Sequence, residues 1–328
     1  MPAGMKAAAG VLLAAALSGC AIGPALRVAD AVPDAPAVLL EQVPFHPQDA
    51  YQCGPAALAM VLGASGVTVE PDALVDQVYL PGREGSLQVE LGAAMRRAGR
   101  IPYPVASSPE GLLQEVHAGR PVLVLQNLLT RSVPRWHYAV VVGSDPARNR
   151  IILHSGTRRA LAMPARSFLR TWDWGGRWGL VALRPGELPA KPDVAPYLAA
   201  VADFEAVAGA AAARPAYEAA YRRWPTQPSM LLAMGNLRHA AGQREDAARF
   251  YRDGLAQAPQ DAVLANNFAS VLGELGCRRE ALAVLDAHPG RDPRWAGALA
   301  QTRAEVKAGK SRRQAACSRL GLPAATER

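Results

Sequence analysis

Four prolines fall within the thirteen residues Arg184–Pro196 (RPGELPAKPDVAP), and the texture of the chain changes across them. Proline fixes φ and removes a backbone donor, so such a run continues neither a helix nor a strand ladder. Before it lie short β-rich runs punctuated by glycine; after it the sequence is rich in Ala and Leu at helical spacing. A chain of 328 residues is long enough for two cores. The break predicts an α+β domain over 39–185, a linker at 186–196, an all-α domain over 197–310 and a tail at 311–328.

In the first domain, strands are expected at Pro121–Leu125, Tyr138–Val142, Ile151–Leu153 and Trp178–Leu183. Helices are expected at Pro55–Ser65, Ser86–Ala98 and Pro109–Ala118, closed by Gly66, Gly99 and Gly119. In the second domain a thirty-four-residue period is visible: Gly235 with Ala269, Gly242 with Gly276, Ala247 with Ala281, Tyr251 with Leu285, and Pro259 with Pro293. Ala213, Tyr217 and Pro225 fill the same slots one period earlier. Small residues let paired helices approach, the large residue fills the groove, and proline stops the second helix. The pattern resembles the tetratricopeptide repeat, which implies a helical solenoid with a capping helix at Trp295–Lys307 and a protein partner on its concave face. A plain helical bundle is the alternative.

The N-terminus speaks to compartment. Lys6 precedes the uncharged apolar run Ala7–Leu17, which is too short to span a bilayer and reads as a secretory signal. Leu17-Ser18-Gly19-Cys20 resembles the lipobox of bacterial lipoproteins. That resemblance implies a signal peptide over 1–20, lipid on Cys20, a tether over 21–38, and an envelope protein held to the membrane by its N-terminal lipid. Ala21 after the cysteine favours the outer membrane, facing the periplasm. The alternative is an ordinary signal peptide with a chance cysteine. The formal net charge is +8, but Lys and Arg are dispersed and no basic-aromatic stripe occurs, so nucleic acid is not an expected partner.

With Cys20 lipidated, Cys53, Cys277 and Cys317 remain, an odd number in an oxidising compartment. Cys277 and Cys317 share the C-terminal region and are the candidate disulfide, which leaves Cys53 as the free thiol. In YQCGPAALAMVL it stands directly before a helix start, where backbone N–H groups favour a thiolate and a developing oxyanion. His137, in WHYAVVVG, opens an apolar strand and is the candidate base. The following strand, RIILHSG, is expected to run antiparallel and to return His154-Ser155-Gly156 beside His137.

These residues resemble the papain-like cysteine peptidases that process double-glycine bacteriocin leaders, and their stand-alone relatives. The resemblance covers residues 40–160 and rests on the Gln before the thiol, QCGPAALAMVL and HYAVVVG. It implies Cys53 as nucleophile, His137 as general base and acid, and Gln48 as oxyanion donor. The family's aspartate slot, about sixteen residues after the histidine, falls on His154 here. Asp145-Pro146 lies in the expected hairpin turn, and Asp173 is an alternative carboxylate from another loop. The reading that follows is an envelope-anchored thiol peptidase that needs no cofactor or metal, with repeats recruiting a peptide or protein substrate. The competing readings are a binding lipoprotein with an inactive thiol domain, and an amidase or transpeptidase sharing the acyl-enzyme.

Overall fold

The computed structural model describes residues 27–47, 52–83, 85–290 and 292–309 together with Cys317 and Leu320; Cys20, Gln48 and the expected signal peptide lie outside the described residues. In chain order the first half contains α1 (Val28–Ala31), β1 (Val38–Leu39), α2 (Cys53–Ala64), α3 (Asp72–Val78), β2 (Tyr79–Leu80), β3 (Gly85–Ser86), α4 (Gln88–Arg97) and β4 (Ile101–Pro104). It continues through α5 (Pro109–His117), β5 (Val122–Asn127), β6 (Trp136–Asp145), β7 (Arg150–Ser155), β8 (Arg158–Pro164), α6 (Ala165–Trp174) and β9 (Gly179–Leu183). Seven strands form one sheet in the order β4-β9-β5-β6-β7-β8, with β1 added to β6; every pairing is antiparallel.

The helix that carries Cys53 is apolar on all sides, and Gly54 to Leu62 are all buried. Such a helix must be covered all round. It packs on β5 and β6 and is closed over by α3, α4 and β3. Gly66, Gly99 and Gly119 end α2, α4 and α5 with φ of +90°, +72° and +84°, the left-handed cap that glycine adopts without a Cβ penalty.

Eight elements of the first half were not expected: the short α1, β1, β2 and β3, and the longer α3, α6, β4 and β8. The β4 sequence IPYP reads as a loop because of its prolines. The ladder explains how they are tolerated. Val105 donates to Gly179 O at 3.0 Å, so odd-numbered positions face β9, while Pro102 and Pro104 point their missing donors away from it. In α6 the aromatic run SFLRTWDW hid an amphipathic helix that buries Phe168, Thr171 and Trp172.

The proline-rich segment is docked rather than free. Glu115, buried on α5, accepts from Ala190 N at 2.8 Å and pairs with Arg120, which also holds Glu187 at 3.1 Å. Tyr197 donates to Glu187 O at 2.9 Å, and Arg184 donates to Ser65 O at 2.9 Å. Tyr197, Val201 and Phe204, fully buried, belong to the same apolar core as Ile101, Met95 and the sheet. Tyr103, Tyr197 and Trp224 form an aromatic chain across the junction, with centroids 6.4 Å and 6.2 Å apart. The first helices of the second half thus share the apolar core of the first.

The second half comprises α7 (Val194–Ala208), α8 (Ala210–Arg223), α9 (Pro228–Ala240), α10 (Arg244–Gln257), α11 (Ala262–Glu274), α12 (Arg278–Ala287) and α13 (Pro293–Ala308). First helices of successive pairs begin at Val194, Pro228 and Ala262, and second helices at Ala210, Arg244 and Arg278, a thirty-four-residue spacing throughout. A Cβ at Gly235 would stand 2.2 Å from the Tyr251 ring, so the glycine admits the tyrosine between α9 and α10. Cys277 and Cys317 are joined as a disulfide, and both belong with Leu320 to a second core of α10 to α13.

Candidate active site

Cys53 is the first residue of α2, preceded by the exposed Gln52, and its sulfur is half-buried. The backbone N–H groups of Tyr138, Gly54 and Cys53 itself point at it. Each favours the thiolate, yet burial outweighs them and pushes the thiol up from its ordinary value. Tyr138 follows His137 on β6, so the chain that brings the N–H to the sulfur also brings the imidazole to the same end of the sheet.

His137 pairs in register with Gln126 of β5 and is half-buried. Its Nε2 lies 3.0 Å from Ser155 Oγ. A neutral ring whose Nε2–H donates to that hydroxyl keeps the Nδ1 lone pair as proton acceptor. Burial, and then the charge of Arg135, lower the imidazole to about 4. Thiol and imidazole are thus both neutral at rest, and among the described residues no hydrogen bond joins them. The helix start alone had suggested an activated thiolate; desolvation reverses that.

The side chain hydrogen-bonded to His137 Nε2 is Ser155, and His154 is engaged elsewhere. His154 lies opposite Val140, and its contacts are with residues other than His137. Its Nδ1 accepts from Ala160 N at 3.2 Å, its Nε2 donates to Val43 O at 3.4 Å, and its ring meets Phe45 edge-on. Both nitrogens are engaged, and burial lowers its pKa. His154 therefore anchors the segment at Val43–Phe45 that leads toward Cys53. Neither alternative carboxylate reaches His137. Asp145 pairs with Arg148 in the hairpin turn, and Asp173 pairs with Arg177. The hairpin's antiparallel register and the two-residue strand period were the available signals for Ser155.

Cys53 opens onto a cleft of about 980 Å³. Leu125 and Tyr138 line it from the sheet, Ser86 and Leu87 from one rim, Trp136 and Trp174 from the other. Two glycines set its shape. A Cβ at Gly54 would stand 2.2 Å from Ser86 Oγ, and one at Gly175 would stand 2.2 Å from Leu125 O. The cleft has a thiol at a helix start, and Trp136 and Tyr138, the two chain neighbours of the oriented His137, line it; a thiol and a histidine are the groups that acyl transfer uses.

Residues 40–173 match the model of the Peptidase_C39 like family. The matched span contains Cys53, His137 and Ser155, and the antiparallel sheet with its central helix agrees with a C39-like peptidase domain. Two solved structures are similar at a lower level. One is described as a C39-like peptidase from Bacillus anthracis: 19% identity, 46% of this chain and 98% of that one, TM-score 0.39. The other is the peptidase domain of Streptococcus ComA, a bifunctional ABC transporter of a quorum-sensing pathway: 21% identity, 43% of this chain and 98% of that one, TM-score 0.36. No curated protein matches the chain.

Burying neutral histidines makes stability depend on pH. His137, His154 and His117, the last bonded to Ser144 Oγ at 2.9 Å, all have lowered values caused first by burial. The unfolded chain takes up these protons near pH 6.5, whereas folded His137 does so only near 4. Between those limits the unfolded state binds more protons, so stability should fall as pH drops from 6.5 to 4. His137 alone should contribute about 3 kcal/mol of that loss. Urea melts at pH 7 and pH 4.5 should show the loss, and His137→Gln should shrink it; an unchanged pH dependence in the variant would refute the assignment.

Proposed function

We propose that the chain is a thiol peptidase that cleaves a peptide or amide bond through an acyl-enzyme on Cys53. The observation that carries this reading is the Cys53 thiol at a helix start, open to the cleft, with the N–H of the residue following His137 favouring its thiolate. As the sulfur attacks the scissile carbonyl, its proton passes to His137 Nδ1. The oxyanion forms beside the N–H of Cys53, with Gln48, through the family resemblance, as the second donor. Collapse expels the amine, which takes the proton from His137. Water then attacks the thioester, with His137 again as base. Ser155 sets the ring orientation but brings no charge to stabilise the imidazolium.

Attachment of lipid to Cys20 at the envelope, and recruitment of a partner by tetratricopeptide repeats, belong to the same reading. Its supports are the lipobox-like LSGC, the thirty-four-residue helix spacing and the disulfide, which fits an oxidising compartment. One set of observations favours the binding reading instead: a hydroxyl in place of a carboxylate beside His137, a raised thiol and a lowered imidazole.

The two readings separate on a fluorogenic peptide library treated with protein that begins after Cys20. Cleavage should disappear in Cys53→Ala and fall by about 100-fold or more in His137→Ala. An intact library, together with iodoacetamide alkylation that tracks an ordinary thiol and ignores His137→Ala, would establish binding in place of catalysis. Cys53 is the free cysteine among the described residues, so the alkylation reports one site there.

A further inference from the structure

The cleft does not stop at the thiol. Gln88, at the start of α4, lines both it and a second groove of about 620 Å³ that runs between the sheet edge and the helical half. At the same threshold Trp178 lines the groove and packs edge-on against Tyr138 of the cleft, centroids 5.8 Å apart. One wall of the groove is α4, with Val89 68% exposed; the floor is Pro102, Pro104 and Leu180; the other wall is α7, with Ala199 exposed. Its charged members, Arg96 and Asp203, neutralise each other at 2.7 Å. Of the three buried side-chain polar atoms without a partner among the described residues, two lie along this path: Ser86 Oγ and Arg96 Nε.

We propose that cleft and groove form one track for an extended polypeptide with apolar side chains, and that α7 supplies one of its walls. This rests on the peptidase reading and deepens it. The helical half then takes part in substrate selection directly, in addition to any partner it recruits. A small substrate reaches only the cleft; a long one also covers Val89 and Ala199.

Peptidyl acyloxymethyl ketones, in which the Cys53 sulfur displaces the carboxylate, separate the two lengths. A dipeptidyl probe fills the cleft, and a probe of about eight residues, at roughly 3.3 Å each, extends into the groove. The long probe should inactivate the protein about tenfold faster, corresponding to a modest gain in binding. Ala199→Arg and Val89→Asp, exposed positions on opposite walls, should each erase that advantage and leave the short probe's rate unchanged. Equal rates for both probes, or an advantage that survives both substitutions, would overturn the track while leaving the peptidase reading in place. Labelling by iodoacetamide but by neither ketone would overturn both.

Discussion

Replacing Ser155 with aspartate should raise the rate of Cys53 alkylation at pH 6 by about tenfold or more. An opposite charge within about 4–6 Å favours the ionised form of a histidine by one unit or more. Ser155 Oγ already lies 3.0 Å from His137 Nε2, so the new carboxylate would replace a contact instead of having to find one. In the present chain burial holds His137 at about 4 and pushes Cys53 up, and proton transfer between them is uphill. A carboxylate would lift the imidazole, offset part of its desolvation and make the thiolate–imidazolium pair accessible. Peptide cleavage should rise with alkylation. The same change at His154 should do neither, because that side chain faces Val43 and Ala160. A Ser155→Asp protein with unaltered alkylation from pH 5 to 9 would show that His137 does not couple to the thiol.

Removing residues 194–328 should destabilise the peptidase-like half strongly. Tyr197, Val201 and Phe204 are fully buried in its core. Burying such side chains contributes about 1.5–3 kcal/mol each. If half of that is made against the sheet and α4, the loss is about 3 kcal/mol, or roughly 10 °C in melting temperature for a domain of this size. The deletion also uncovers Tyr103 and frees Glu187 from the Tyr197 hydroxyl. A fragment ending at residue 227, which keeps α7 and α8, should melt close to the intact protein. Equal melting of the shorter fragment would mean that the junction contributes nothing to stability.

Much of the site was legible because it depends on local pattern. Cys53 before Gly-Pro and an apolar helix, and His137 at the head of a Val-rich strand, are read from adjacent residues. The position beside His137 depends on register between two strands, and counting along the chain stops one residue short, at His154 instead of Ser155. Protonation was illegible for a related reason. The helix start lies in the sequence, whereas the desolvation that overrides it comes from β3, β6 and α4 folding over the thiol. The Pro-rich junction misled in the opposite direction, since proline and glycine signal loss of secondary structure and say nothing about docking. Glu115 and Arg120, sixty-odd residues upstream, decide that. Weak strands such as IPYP and RRALAMP formed because neighbours supplied a ladder, which local propensity does not report.

Pro102 and Pro104 have a consequence for what the protein can recognise. At the β4 edge they present carbonyls to the groove with no N–H beside them, and α7 lies against the same edge. An incoming chain cannot add itself there as another strand, because half of every ladder repeat is missing. Association that would be indifferent to sequence, whether with a misfolded neighbour or a second copy, finds no main-chain template at that margin. What remains readable is the side-chain pattern, so selectivity at this edge is a matter of shape and apolarity.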